Sequence, residues 1–171
     1  TTKQIHVGHF THRRLPYQMV DTPGLLDRPM IQRNDIEMQA IAALENIGSL
    51  ILFIIDKSEH CGTALQEQMH LLEDVKNLLG DTPTIVVTSK ADLLNPRPSE
   101  WQHVKDAEEE WRSTGSKGTP ELPLLFDDEK TPTMSAIENV GLDAMRLELI
   151  RLVQQEWATD PLQLPDGWHR E

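Results

Sequence analysis

The sequence contains a single cysteine, Cys61, and no long hydrophobic run. One cysteine cannot form an internal disulfide, which fits a reducing environment. The longest apolar run, residues 50–55, has the length of a strand and is far shorter than the roughly 18 residues of a membrane span. The N-terminal residues lack the basic and then apolar pattern of a signal peptide. The composition therefore predicts a cytoplasmic protein without a membrane association.

Positive charge is also scarce, because 16 Lys and Arg stand against 28 Asp and Glu, and the net charge is −12. Such a surface repels phosphate backbones, so we expect little direct nucleic-acid binding. The acidity has two explanations that the composition leaves open. One is a halophilic host, and the other is an ordinary acidic protein or one with basic partners. The 171 residues suit one domain with a core of useful size.

Strand-like and helix-like patterns alternate along the chain. Apolar or β-branched segments typical of strands occur at 5–10, 17–20, 50–55, 84–88 and 131–134. Apolar stripes with helical spacing occur at 36–47, 65–79, 101–111 and 142–153. A short polar turn, 11–16, joins the first two strands, and 113–132 is predicted to be a long loop. The pattern predicts an α/β fold with a parallel sheet, and the uninterrupted run 50–55 predicts a strand buried on both faces.

In such a sheet, ligands bind at the carboxyl ends of the strands. Asp21 and Gly24 follow the second strand in the sequence DTPG. A carboxylate there can hold Mg²⁺ through water, and the glycine lets its N–H approach a terminal phosphate. Thr2, about twenty residues earlier, has a hydroxyl that could complete the magnesium coordination. Taken alone, DTPG is first of all a good turn.

Ser89, Lys90 and Asp92 follow the strand 84–88. An aspartate can accept hydrogen bonds from N1 and the exocyclic amine of guanine, and a lysine stem can lie along the base. Ser135 and Ala136 follow the last strand, where backbone N–H groups could meet the guanine carbonyl, although a helix N-cap at Ser135 is the simpler reading. Each motif is weak alone, but their order is that of the nucleotide-binding motifs of Ras-like GTPases.

Longer stretches resemble the Nog family of nucleolar-type GTP-binding proteins. They are VDTPGLLDRP at 20–29, RNDIEMQAIAAL at 33–44 and DKSEHCG at 56–62, together with the opening TTK and VGHF at 7–10. The resemblance is close over residues 1–95 and holds only by pattern beyond them. It implies a Ras-like three-layer P-loop GTPase fold with a mostly parallel sheet. The final GWHRE resembles haloarchaeal members of the family.

The same resemblance implies GTP or GDP and Mg²⁺ as ligands, and GTP hydrolysis as a switch in assembly of the large ribosomal subunit. The residues that would bind GTP are Thr2, Asp21, Gly24, Ser89, Lys90, Asp92, Ser135 and Ala136. Of these, Thr2 and Asp21 would also hold the magnesium ion. The implied partner is the large ribosomal subunit or its precursor, contacted by a monomeric protein. Asp27, Arg28 and Asn34 are candidates for that contact.

The sequence departs from the family pattern at Ser89 and in lacking a phosphate-binding motif, and it differs from many Ras-like GTPases at Leu25. Ser89 stands where the family usually has asparagine, so guanine contacts or loop bracing are expected to be weaker. Leu25 stands where many Ras-like GTPases place the glutamine that orients the attacking water, so no catalytic residue is assigned. No GxxxxGK[ST] segment is present, since GSKG at 115–118 has the wrong spacing. We therefore expect the first strand, the phosphate-binding loop and the first helix of the fold to be missing.

The missing segment predicts a partial GTP-binding domain, residues 1–158, and Pro161 and Pro165 predict an irregular tail, residues 159–171. Three interpretations stay open. The chain is a fragment of an intact GTPase and inactive alone, a degenerate GTPase-like module that binds a ribosomal partner without hydrolysis, or an α/β binding domain of other ancestry. Cys61 is interpreted as a loop or packing residue and not a nucleophile. The seven histidines show no zinc-binding spacing, and the four tryptophans are expected to serve packing.

Overall fold

The computed structural model describes residues 6–21, 50–118 and 120–159, with side chains up to residue 156. The predicted helix at 36–47, the stretch RNDIEMQAIAAL and the tail 160–171 lie outside the described residues. The chain divides into two compact units. The first contains residues 1–48 and 66–82, and the second contains residues 49–65 and 83–171.

The first unit contains an antiparallel hairpin of β1 (His6–His12) and β2 (Leu15–Asp21). Arg13 and Arg14 form its two-residue loop, with φ of 49° and 69°. Two positive φ values are what a type I′ turn requires, and this turn matches the right-handed twist of paired strands. The strands are therefore longer than predicted, and the turn, which was predicted over residues 11–16, is confined to Arg13 and Arg14. Phe10 and Tyr17 face each other across the ladder and stack, with ring centroids 5.2 Å apart.

Helix α1 (Leu65–Leu79) lies mostly in the first unit and has the predicted bounds. Its buried residues recur at helical spacing and are Gln68, Leu72, Val75 and Leu79. Gly80 follows with φ of +55°, the left-handed conformation that ends many helices. The glycine N–H donates to the Lys76 carbonyl at 3.1 Å. The apolar stripe and the terminal glycine together explain why the sequence located this helix correctly.

The second unit contains a small parallel sheet, as the alternation of elements predicted. Strands β3 (Ile51–Ile55) and β4 (Thr84–Thr88) pair in parallel. The predicted strand 131–134 makes one parallel bridge, Thr88 with Thr133, and does not form a longer ladder. Pro132 limits the ladder because it has no N–H to donate. Its carbonyl nevertheless accepts the Thr88 N–H at 2.8 Å.

The expectation that residues 50–55 are buried on both faces is wrong at Ile54. Ile51 and Ile55 are buried, whereas Ile54 is 51% exposed. Successive side chains of a strand point to opposite faces. The face of β3 that carries Ile51 and Ile55 is thus buried, and the face that carries Ile54 is partly exposed.

Two helices complete the second unit, α2 (Trp101–Ser113) and α3 (Leu142–Thr159). A buried cluster combines α2 with the segments after β4 and before α3, and its members are Ala91, Trp101, Val104, Leu125 and Val140. Residues 114–131 form the predicted loop, apart from residue 119, which is not described. Helix α3 extends six residues beyond the apolar stripe that predicted it. Among the described helices none is long and apolar enough to cross a membrane.

Candidate functional site

The strands of the second unit end at one edge of the sheet, since parallel neighbours run in the same direction. At this edge lie the segment 89–92 after β4, Asp56 after β3, and Ser135 after the bridged residues. The Met134 N–H donates to the Thr88 carbonyl at 2.9 Å, and the Ala91 N–H donates to the Met134 carbonyl at 3.1 Å. The structure therefore brings together two of the predicted segments, 89–92 and 135–136.

Ser89 fastens the start of this edge to β3. Its backbone N–H and its hydroxyl both donate to the Ile55 carbonyl, at 2.7 Å and 3.0 Å. The short hydroxyl thus braces the loop against the last carbonyl of the neighbouring strand.

Lys90 has a left-handed backbone, with φ of 53° and ψ of 42°. Its ammonium Nζ lies 2.6 Å from Oδ2 of Asp56, whose side chain is only 6% exposed. Burial raises the pKa of Asp56, but hydrogen bonds from Lys90, Ser58 and the Cys61 backbone outweigh that effect and lower the pKa to about 2. The lysine charge is thus held at the edge by a carboxylate that stays ionised.

Asp56 is a site residue to which sequence reasoning gave no role. Its Oδ1 accepts hydrogen bonds from the N–H and the hydroxyl of Ser58, and its Oδ2 accepts the Cys61 N–H at 2.8 Å. Asp56 thereby orders residues 56–61 as well as Lys90. The sequence does carry a signal, because an aspartate that follows a strand commonly accepts a hydrogen bond from the backbone N–H two residues on. Cys61 is an exposed loop residue, as predicted.

Asp92 and Ser135 connect the two predicted segments directly. The Ser135 hydroxyl, fully buried, donates to Oδ1 of Asp92 at 2.5 Å and accepts the Glu138 N–H at 3.2 Å. Within the described ranges, Oδ2 of Asp92 has no hydrogen-bond partner, and the backbone N–H of the exposed Ala136 has none either. The edge therefore presents a carboxylate oxygen and a backbone donor that can meet a polar ligand.

The simpler reading of Ser135 as a helix N-cap is wrong. Helix α3 begins only at Leu142, and Ser135 instead opens a turn that Val140 closes. The Ser135 N–H donates to the Val140 carbonyl at 2.9 Å, and the Val140 N–H donates back at 3.1 Å. The serine hydroxyl accepts the Glu138 N–H within this turn and donates to Asp92.

Helix α2 holds the far end of this turn. The carboxylate of Glu108, with no exposed surface, accepts the Gly141 N–H at 2.8 Å and the Ala144 N–H at 3.0 Å. Arg112 lies beside it and donates to the Asn139 carbonyl at 2.9 Å. The Gly141 and Ala144 N–H groups belong to the start of α3, where the first N–H groups have no partner within the helix. A buried acceptor on one helix thus fixes the beginning of another.

A second ion-pair group lies beside the edge. Lys57 contacts Asp127 at 2.8 Å and Glu129 at 2.6 Å, and Asp127 also accepts the Thr88 hydroxyl at 3.0 Å. Burial lowers the pKa of Lys57, but the two carboxylates outweigh burial and raise it. For Asp127, burial raises the pKa, and the bonds from Lys57, the Thr131 N–H and Thr88 together lower it. The loop after β3 is thereby tied to the turn at 127–131.

The remaining predicted residues belong to the first unit or are not described. Asp21 is the exposed last residue of β2. Thr2, Gly24 and Leu25 lie outside the described residues, and so do the suggested partner contacts at 27, 28 and 34. In the ranges 6–21, 50–118 and 120–159 no group of three or more His, Cys, Asp or Glu side chains is placed to hold a metal ion.

Comparison with known proteins gives the geometry a context. Residues 35–92 match the family model described as nucleolar GTP-binding protein 1. A nucleolar GTP-binding protein 1 of Drosophila melanogaster is 37% identical over 150 residues, which cover 86% of this chain and 21% of the fly protein. An uncharacterized protein of Methanocaldococcus jannaschii is 53% identical over 95 residues, or 56% of this chain and 26% of that protein. The chain thus spans about a fifth to a quarter of the length of these relatives.

A solved structure extends the similarity over nearly the whole chain. A crystal structure from Plasmodium falciparum, described as a nucleolar GTP-binding protein 1, superposes with a TM-score of 0.62 at 32% identity. The match covers 92% of this chain and 74% of that chain. At 32% identity over most of both chains, this match shows that the chain belongs to the nucleolar GTP-binding protein 1 family.

Proposed function

We propose that this chain carries the guanine-recognising part of a GTP-binding protein. The observation that carries the proposal is the state of Asp92, which is oriented by Ser135 through one oxygen while its Oδ2 has no partner in the described part of the chain. A buried serine holding a partly exposed carboxylate at the end of parallel strands is a preorganised acceptor. The names of the relatives, which are GTP-binding proteins, agree with this reading.

Guanine fits this edge by its hydrogen-bonding pattern. It offers N–H donors at N1 and at the exocyclic amine, which the Asp92 carboxylate accepts, and a carbonyl at O6, which the Ala136 N–H meets. Adenine presents an unprotonated N1 to the same carboxylate, so acceptor would face acceptor and two polar groups would stay unpaired. Lys90 contributes its methylene stem, because its ammonium is held away by Asp56 at 2.6 Å.

The phosphate side of the proposal depends on other residues. The 171 residues contain no GxxxxGK[ST] sequence, and we propose that residues outside them bind the phosphates. We assign Thr2 and Asp21 to a magnesium ion and Gly24 to the terminal phosphate, with Ser89 bracing the base-reading edge. Magnesium would supply charge neutralisation at the phosphates. Residues 1–158 would then belong to a Ras-like GTP-binding domain with a mostly parallel sheet, followed by a tail at 159–171.

As a whole protein we propose a GTP-dependent switch in assembly of the large ribosomal subunit, with the subunit or its precursor as partner. Leu25 has no hydrogen-bonding group to orient a water molecule, so hydrolysis would depend on a residue or cation supplied from outside this chain. The same leucine supports the second candidate, a module that binds its partner without hydrolysing GTP. Comparing GTP turnover with and without large ribosomal subunits separates the two candidates.

The base-reading role is tested by Asp92→Asn. The amide donates a hydrogen bond where the carboxylate only accepts. The variant should therefore bind guanine nucleotides more weakly and xanthine nucleotides more tightly, because xanthine has a carbonyl in place of the exocyclic amine. We expect the Kd for a fluorescent GDP analogue to rise about 100-fold, because the amide NH2 faces the exocyclic amine of guanine, donor against donor, while the amide oxygen still accepts N1–H. The Kd for the xanthosine analogue should fall by at least about tenfold, because the same NH2 donates to the xanthine carbonyl. Titrations use the product of the whole gene and, separately, residues 1–171.

The matched control is Asp128→Asn, which makes the same change at an exposed aspartate of the turn at 127–131. It should leave both Kd values unchanged. Failure of the unaltered gene product to bind GDP would refute the proposed function as a whole. Equal binding of GDP and ADP would refute base recognition by Asp92.

A further inference from the structure

We propose that Arg97 and Glu138 are positioning residues that lock the two base-reading segments, 89–92 and 135–140, into one register. Nothing in the sequence patterns drew attention to either residue. The proposal rests on the guanine-recognition role proposed above, and it adds two determinants of nucleotide affinity and base selectivity that do not themselves touch the nucleotide.

Arg97 makes three contacts at once. Its Nη2 lies 3.1 Å from Oε1 of Glu138, in the turn that follows Ser135. The same Nη2 lies 3.5 Å from the Asp92 carbonyl, at the outer limit of a hydrogen bond. Its guanidinium carbon stands 4.5 Å from the ring centroid of Trp101, in cation–π geometry. The Arg97 guanidinium thus connects Asp92, the turn after Ser135 and Trp101, the first residue of α2.

The Trp101 ring under Arg97 is part of the buried core. Trp101 is 6% exposed and belongs to the buried cluster that also contains Ala91 and Val140. Ala91 adjoins Asp92, and Val140 closes the turn of Glu138, so the ring under Arg97 belongs to the same core cluster as residues of both segments that Arg97 joins. An arginine held on an aromatic face has already lost much of its rotamer freedom, which reduces the cost of holding the ion pair.

The location distinguishes this pair from ordinary surface ion pairs. The Arg97 and Glu138 side chains are 47% and 32% exposed, and pairs of that kind contribute little to overall stability. Their effect is expected on local order. Ser135 and Arg97 connect the same two segments from different sides, so loss of Arg97 leaves the Ser135 hydroxyl as the one side-chain link to Asp92 in the described part of the chain, beside the backbone bond from the Ala91 N–H to the Met134 carbonyl. A looser carboxylate binds the guanine donors less well and discriminates less well between bases.

The chain offers a matched control. Arg151 and Glu148 also form an arginine–glutamate pair, with side chains 52% and 28% exposed, but both lie within α3 at a spacing of three residues. Removing that pair changes charge and exposure in the same way without touching either base-reading segment. Arg97→Ala, Glu138→Gln and Arg151→Ala are therefore compared in the whole gene product, with circular dichroism to verify that each is folded.

The readout is the Kd of GDP and of IDP, which lacks only the exocyclic amine, together with the GDP dissociation rate. For Arg97→Ala and Glu138→Gln we expect the Kd of GDP to rise about three- to tenfold through faster dissociation, a range typical of one partly exposed charged contact. The ratio of the IDP Kd to the GDP Kd should fall by about twofold or more. A merely structural weakening would raise both Kd values equally and leave the ratio unchanged.

Reversing the pair, Arg97→Glu with Glu138→Arg, is the test that does not depend on truncation. Partial recovery of the GDP Kd relative to Arg97→Glu alone supports a direct coupling of the segments. Unchanged Kd values in Arg97→Ala, or a ratio that moves equally in Arg151→Ala, would overturn the inference. If the unaltered protein fails to bind GDP, the proposed function is refuted. If the unaltered protein binds GDP and Arg97→Ala binds it equally well, only the present inference is refuted.

Discussion

The clearest stability prediction concerns Glu108, the buried carboxylate of α2. It has no exposed surface, and it accepts the Gly141 N–H at 2.8 Å and the Ala144 N–H at 3.0 Å, with Arg112 at 3.3 Å. Replacing it with leucine keeps the side chain's approximate size but removes every acceptor. The perturbation thus isolates the hydrogen bonds from the packing.

The expected magnitude follows from the groups that lose their partner. Gly141 and Ala144 are buried, so their N–H groups cannot turn to water. Each unsatisfied buried donor costs about 1–3 kcal/mol, and the Arg112 charge loses one of its acceptors. We expect Glu108→Leu to lower the free energy of unfolding by about 2–5 kcal/mol, equivalent to a fall in Tm of roughly 4–20 °C for a chain of this size.

Urea unfolding followed by tryptophan fluorescence measures the change, since Trp101 and Trp111 are buried in the same unit. Glu109→Leu is the matched control, because Glu109 is the exposed neighbour on the same helix. It should change the free energy of unfolding by less than about 0.5 kcal/mol. A loss below about 1 kcal/mol for Glu108→Leu would refute the reasoning that this carboxylate anchors the start of α3.

Two further predictions concern backbone strain and acid stability. Gly141 has φ of +78°, and an added Cβ would lie 2.7 Å from the Thr133 carbonyl oxygen, so Gly141→Ala should cost about 2 kcal/mol more in urea unfolding than Gly115→Ala, where φ is +75° but nothing lies within 4 Å. An equal cost for the two variants would contradict the clash. Asp56 has its pKa lowered to about 2, so the roughly 2 kcal/mol it contributes is present above about pH 4 and lost as the pH falls to about 2. The stability difference between wild type and Asp56→Asn should shrink across that window, and a constant difference would contradict the assignment.

Local patterns predicted the elements well, because each depends on residues close together in the chain. The apolar stripe and glycine at 65–80 located α1, and the β-branched run at 84–88 located β4. Errors arose where longer-range geometry decides. Ile54 looks like any other residue of an apolar run, but its burial depends on what covers that face of the sheet.

The candidate site was predictable only in part for the same reason. The order of the motifs indicated Asp92 and Ser135, and the structure joins them by a hydrogen bond across 43 residues of sequence. Glu108 and Arg97 escaped notice because their partners lie 33 and 41 residues away and follow no short motif. Asp56 has a local turn signal, but its pairing with Lys90 spans 34 residues. A single sequence shows which residues can read a base, but it does not show which residues hold them in place.

At Ser89, the contacts that hold the loop after β4 in place are distinct from any contact with the nucleotide. A shorter side chain than asparagine suggested a looser loop, yet both polar groups of Ser89 donate to the Ile55 carbonyl. That carbonyl ends β3, next to Asp56, which holds Lys90. Serine at this position therefore connects the start of the loop after β4 to the end of β3. Any weakening of nucleotide binding at Ser89 should accordingly come from a missing ligand contact and not from loop disorder, since the loop has its anchors without an amide.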